Sequence, residues 1–134
     1  MKRICSISFI LFLISAYSYS QFTLEIEITG IRNDSGLIML QLFDKDEKVL
    51  LQTMRPVSDK KCQFTVKNLK AGQYAVRYYH DENSNGRMET NIVGKPTEGY
   101  GFSNNVTGKF RPPPFKDWLF ELKGDKKITM KPVY

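Results

Sequence analysis

From Phe22 onward the chain reads as short runs of alternating apolar and polar residues separated by turn chemistry. Phe22, Leu24, Ile26 and Ile28 alternate with Thr23, Glu25, Glu27 and Thr29, the period-two signature of a strand with one buried face. Gly30 and Asn33-Asp34-Ser35-Gly36 supply turn residues. Leu37 to Phe43 is almost wholly apolar, as expected of a central strand covered on both faces. These two runs are expected to pair as a hairpin. Charged Asp44 to Lys48 then breaks the pattern. Val49 to Met54 reads as a short helical turn or an extended linker, ended by Pro56.

Cys62, Phe64 and Val66 mark another strand, followed by a tight turn at Asn68-Leu69-Lys70-Ala71-Gly72. Tyr74, Val76, Tyr78 and His80 alternate with Ala75, Arg77 and Tyr79. This strand feeds the stretch from Tyr78 to Asn105, the part of the chain densest in Asn, Gly and acidic residues. Farther on, Pro112-Pro113-Pro114 forces an extended segment. Asp117 to Phe120 reads as a short strand or a helical turn, Gly124-Asp125 as a turn, and Ile128 and Met130 as one face of a last strand. No window of useful length has helical period. Many short strands punctuated by Gly, Asn and Pro predict an all-β fold, an antiparallel β-sandwich with one long loop.

The first residues follow another logic. Met1-Lys2-Arg3 is basic, Ile4 to Ala16 is apolar or small, and Ala16, Ser18 and Ser20 are small. This pattern predicts a signal peptide over 1–20 and a single domain over 21–134. The apolar run is short against the ~20 residues that span a bilayer, so no integral membrane span is expected after cleavage. The product is expected outside the cytoplasm, in the periplasm or beyond the cell. Cys5 precedes the apolar run, where lipid attachment is not expected.

Charge and cysteine count narrow the picture further. The formal charge of +6 drops when Lys2 and Arg3 leave. The remaining Lys and Arg are scattered and not interleaved with aromatics, so nucleic acid is not an expected partner. Cys62 is then the one cysteine left, which excludes an internal disulfide, and its alternation with Phe64 and Val66 suits a buried thiol.

Candidate chemistry concentrates after His80. Asp81, Asn83, Asn85 and Gly86 match the D-x-N-x-N-G opening of a calcium loop, in which alternate side-chain oxygens of a turned backbone converge on an ion. Arg87 would supply its carbonyl and Glu89 a further ligand. The next expected ligand position is Ile92, which excludes an EF-hand, so Glu98 would have to fold back to complete the set. With so few charges the affinity would fall around 10⁻⁴–10⁻³ M. The same residues equally suit a hairpin at Asn85-Gly86 with Asp81 and Asn83 capping backbone donors.

His80 beside Asp81, with Glu98 as base and Ser103 as nucleophile, suggests an envelope hydrolase. No G-x-S-x-G elbow surrounds Ser103, and a strand-end histidine also suits a structural role. Zinc lacks ligands. Tyr100 and Phe102, among glycines and amides, either stack with His80 nearby on a ligand such as a glycan or pack down to anchor the loop.

The segment F-T-V-K-N-L-K-A-G-Q-Y, Phe64 to Tyr74, resembles the strand–turn–strand of prealbumin-like and carboxypeptidase-regulatory-like sandwiches. A-V-R-Y-Y-H-D-E-N-S-N-G-R-M-E-T-N from Ala75, with P-T-E-G-Y-G-F-S-N-N from Pro96, resembles the bacterial family called domain of unknown function 2141. The likeness spans the chain from the first strand to Tyr134. It implies an exported bacterial β-sandwich with prealbumin-like Greek-key character, and Glu89 stands where that resemblance leads one to expect Asp. It implies no activity. The ureide-pathway hydrolase of prealbumin-like fold ends in Tyr-Arg-Gly-Ser, whereas this chain ends in Lys131-Pro132-Val133-Tyr134. The expected function is therefore a non-enzymatic, exported binding or interaction module built around the 81–105 loop, taking a glycan or an envelope protein and a calcium ion. An envelope hydrolase and a purely structural envelope component are the alternatives.

Overall fold

The computed structural model describes residues 19–134, so the expected signal peptide, apart from its last two residues, lies outside it. Eight strands form two packed sheets. They are β1 (Gln21–Thr29), β2 (Leu37–Asp44), β3 (Val49–Pro56), β4 (Lys61–Lys70), β5 (Gly72–Asp81), β6 (Tyr100–Phe102), β7 (Phe120–Leu122) and β8 (Lys126–Met130). The smaller sheet has the order β4-β1-β8, and the larger β3-β2-β5-β6 with β7 also on β5. The expected all-β sandwich is present. One pair departs from antiparallel: β8 runs parallel to β1. Among the described residues no helix is long and apolar enough to cross a membrane.

Alternation explains the layers. Leu24, Ile26 and Ile28 of β1 face Ile38, Leu40 and Leu42 of β2 across a core completed by Phe64, Val76, Leu122 and Met130. The expected β1–β2 hairpin is therefore wrong. Two runs with an apolar face each bury more by stacking face to face in different sheets than by pairing side by side in one. The chain climbs between the sheets through 30–36, with Ile31 buried on the way. The partner of β2 in a true hairpin is β3, which replaces the expected helical turn or linker over Val49 to Met54. Asp44 closes that hairpin, its Oδ1 accepting from the Asp46 and Lys48 amides at 2.9 and 3.0 Å. The strand escaped detection because it is an edge strand with little burial to impose alternation.

The expected turn over Asn68 to Gly72 shrinks to Ala71, since β4 runs to Lys70. Asp117 to Phe120 proves to hold both expected elements, a 3-10 turn over Phe115–Asp117 and the start of β7. β2 is central as expected. Its outer face is covered at Phe43, where a second cluster of Phe43, Ala75, Phe102 and Trp118 caps the sheet. Ser103 ties this cap down: its hydroxyl accepts from the Val76 amide at 2.9 Å and donates to the Trp118 carbonyl at 2.5 Å. Cys62 is buried, as expected, and burial pushes its thiol up to about 11.

Among the described residues, one buried side-chain polar atom lacks a partner. The Tyr78 hydroxyl is buried without a hydrogen bond, and its ring lies where any side chain at Gly101 would project. Burial pushes this phenol far above its ordinary pKa. Removing an unsatisfied buried hydroxyl relieves its desolvation cost. Tyr78→Phe is thus expected to match or exceed the parent in stability, by up to about 1 kcal/mol in urea unfolding. A loss of similar size would show that the hydroxyl is satisfied.

Candidate functional site

The candidate site sits at the carboxyl end of β5. His80 is fully buried. Its Nε2 lies 2.6 Å from the Ser35 carbonyl and its Nδ1 3.1 Å from the Tyr134 hydroxyl. A carbonyl only accepts, so this network assigns the proton to Nε2 and makes Nδ1 the acceptor of the Tyr134 O–H. The same phenol oxygen accepts from the Arg32 amide at 3.1 Å. Burial raises the Tyr134 pKa, which keeps the hydroxyl a donor. The Arg32 guanidinium lies 4.5 Å from the Tyr134 ring centroid, and the ring abuts Gly99, where a Cβ would collide with it. Gly36 is required for a similar reason. Its φ is +72°, and a Cβ there would run into the Asp81 carbonyl.

The loop from 82 to 99 is held by two buried carboxylates. Asp81 is 1 % and Glu98 4 % exposed. Asp81 Oδ1 and Oδ2 accept from the Asn85 and Gly86 amides at 3.1 and 2.7 Å. Glu98 Oε1 and Oε2 accept from the Glu82 and Glu89 amides at 3.0 and 3.1 Å. Every carboxylate oxygen thus meets a backbone donor, and these charge-assisted bonds compensate burial. Asn83 and Asn85 form successive Asx turns onto the Asn85 and Arg87 amides at 3.1 and 2.8 Å. Their side-chain nitrogens meet on Glu89 Oε1 at 2.6 and 2.8 Å. Glu82 turns the other way, onto Arg32 and Asn33. Burial opposes ionisation of Glu82, but the Asn33 amide and the Arg32 guanidinium outweigh it and hold its pKa below the ordinary carboxylate value.

The far end of the loop is a second ordered turn. Asn91 Oδ1 accepts from the Val93 and Lys95 amides at 3.0 and 2.9 Å, and the Asn91 amide donates to the Lys95 carbonyl at 2.8 Å. This turn holds Ile92 and Val93 wholly in solvent, 105 % and 80 % exposed. Asn91 was not anticipated. Its signal was the Asn-Ile-Val-Gly run, an Asx residue two places before a turn and followed by Gly94 at φ +80°.

The sequence-predicted residues separate into three groups. Asp81, Asn83, Asn85 and Glu89 are linked by hydrogen bonds around one turn, and Glu98 folds back onto the Glu82 and Glu89 amides. Arg87 is exposed and enters through its amide. The oxygens are the hard donors that suit calcium. They are already engaged, so an ion there would displace the Asn83 and Asn85 amides from Glu89 and share oxygens with backbone N–H groups. Among the described residues no group of three or more His, Cys, Asp or Glu is placed to hold a metal. His80, Tyr100 and Phe102 do not form a presented surface. His80 and Phe102 are buried, and Tyr100 is half-buried with its ring 6.2 Å from Phe102. The rings pack down because β6 lays them onto β5, and Phe102 completes the cap around Trp118. The hydrolase grouping has no free member: both nitrogens of His80, the Ser103 hydroxyl and both oxygens of Glu98 are bonded within the fold.

Fold and loop together define a small β-sandwich domain with a carboxylate-pinned loop at one strand end. Comparison with known families places it further: the profile of the family described as "Uncharacterized protein conserved in bacteria (DUF2141)" matches residues 26–130. The chain belongs to that family, which extends over both sheets and the whole loop. No curated protein matches the chain.

Replacing Glu98 with Gln removes the charge that two backbone amides share. The expected loss is about 1.5–3 kcal/mol in urea unfolding. A change within a few tenths of a kcal/mol would mean that Glu98 does not hold the loop.

Proposed function

We propose that the protein is an exported, non-enzymatic binding module of the bacterial envelope, with the 82–99 loop as its recognition element. Export rests on the basic, apolar and small-residue pattern of residues 1–20. The observation that carries the binding reading is the hydrogen-bonded Asn91 turn, which leaves Ile92 and Val93 exposed to water. Single exposed aliphatic residues are ordinary. Two of them crowning a turn already fixed by its own hydrogen bonds form a preorganised contact, which lowers the ordering cost of association. The engaged state of His80, Ser103 and Glu98 supports a binding role over hydrolysis. The partner is an envelope protein or glycan that offers an apolar recess to this tip.

The test is retention of envelope components on the immobilised protein. The parent is expected to retain a partner, and Ile92→Ser with Val93→Ser to retain at least about tenfold less, given the apolar area removed, with an unchanged melt. Equal retention by both proteins would contradict the reading.

A calcium ion at Asp81, Asn83, Asn85, Glu89 and Glu98 is the accompanying proposal. It is supported by the D-x-N-x-N-G spacing and by Asp81 Oδ1 and Asn83 Oδ1 meeting on one amide, that of Asn85. With a Kd of about 10⁻⁴–10⁻³ M, 10 mM calcium should stabilise the fold by about 1.4–2.7 kcal/mol over chelator. Superimposable melting curves would remove the ion.

A further inference from the structure

The sandwich has four lateral edges, and three of them are blunted. β4 carries Lys61, Lys67 and Lys70, and β8 is short and carries Lys126 and Lys127. The opposite edge of the larger sheet is divided between β6 and β7, three residues each. Lysines and short strands are the usual means of preventing edge-to-edge pairing. β3 has neither. It is eight residues long, reads Val-Leu-Leu-Gln-Thr-Met-Arg-Pro, and among the described residues pairs on one side only, with β2. Its one charge, Arg55, and its one proline, Pro56, both stand at the far end. Val49, Leu50 and Met54 are 44 %, 46 % and 58 % exposed.

We propose that β3 is a pairing edge for a second copy of this chain, joining two larger sheets into one continuous antiparallel sheet about a two-fold axis. The strand is its own complement. Leu51 packs toward the core, so Leu50, Gln52 and Met54 share the outer face. An axis through Gln52 sets Leu50 opposite Met54 of the second copy, Met54 opposite Leu50, and Gln52 opposite itself. Apolar residues meet apolar ones on that face, and no like charges oppose each other. The regular register ends at the Val49-Leu50 bulge. The same operation on β4 would bring lysines of both copies onto one seam. An isologous contact of this kind closes after two copies, which reconciles an unblunted edge with a soluble product. Backbone hydrogen bonds supply the attraction and the apolar pairs the register.

Sedimentation velocity of the purified protein between about 5 and 500 μM, a span that covers weak dimers, tests this directly. The expected result is a monomer–dimer equilibrium. Leu50→Lys with Met54→Lys should weaken it at least about tenfold by setting lysines opposite lysines, with the melt unchanged. If that variant fails to fold, Gln52→Lys places a like-charge pair on the axis at one exposed site and should have the same effect. Protein that stays monomeric throughout, or association that both variants leave intact, would overturn the proposal. Monomer that instead takes up an extended peptide along β3 would assign the edge to a different partner and overturn it equally.

Discussion

Two carboxylates inside the protein surface set the terms for everything at the loop end of this sandwich. Asp81 and Glu98 are almost completely buried, and none of the ion pairs among the described residues includes either of them. An isolated buried carboxylate is prohibitively costly, and backbone N–H groups are what the chain offers in place of a cation. Each carboxylate takes two. The consequence is geometric. The amides of Glu82, Asn85, Gly86 and Glu89 must all turn inward, which fixes the first half of the loop and anchors its return through Glu98. The Asx turns at Asn83 and Asn85 are the local conformations that satisfy this demand, helped by Gly86 at φ +75°.

The strand end beneath is built to receive that loop. The relay from the Arg32 amide through the Tyr134 hydroxyl and His80 to the Ser35 carbonyl ties the β1–β2 connection, the last residue and β5 together. It leaves no ring nitrogen of His80 unbonded. A fully satisfied buried polar network specifies one arrangement and resists alternatives. On the proposed reading, this platform is what would let the Ile92-Val93 tip serve as a recognition element.

Much of this was legible in the residues themselves. The alternation of β1, β4 and β5 identified three strands and their buried faces, because a half-buried strand imposes period two. The D-x-N-x-N-G run located the loop and brought Asp81, Asn83, Asn85 and Glu89 to one turn. What was not legible has physical causes. β3 is an edge strand with exposed residues on both faces, so no alternation marks it. The β1–β2 pairing was misread because a period-two pattern gives the buried face of a strand but not which neighbour lies beside it and which lies across the core. The parts played by Arg32 and Tyr134 depend on contacts 102 residues apart. Whether Phe102 and His80 are presented or packed down stayed open in the residues, because local sequence does not show that β6 folds back onto β5.

Hydrogen exchange at single amides tests the central claim most directly. If buried carboxylates hold the loop, the amides of Glu82, Asn85, Gly86 and Glu89 exchange slowly, with protection approaching that of β5, although they lie in a loop. Exchange of those four amides at the rate of an open peptide, with β5 still protected, would contradict it.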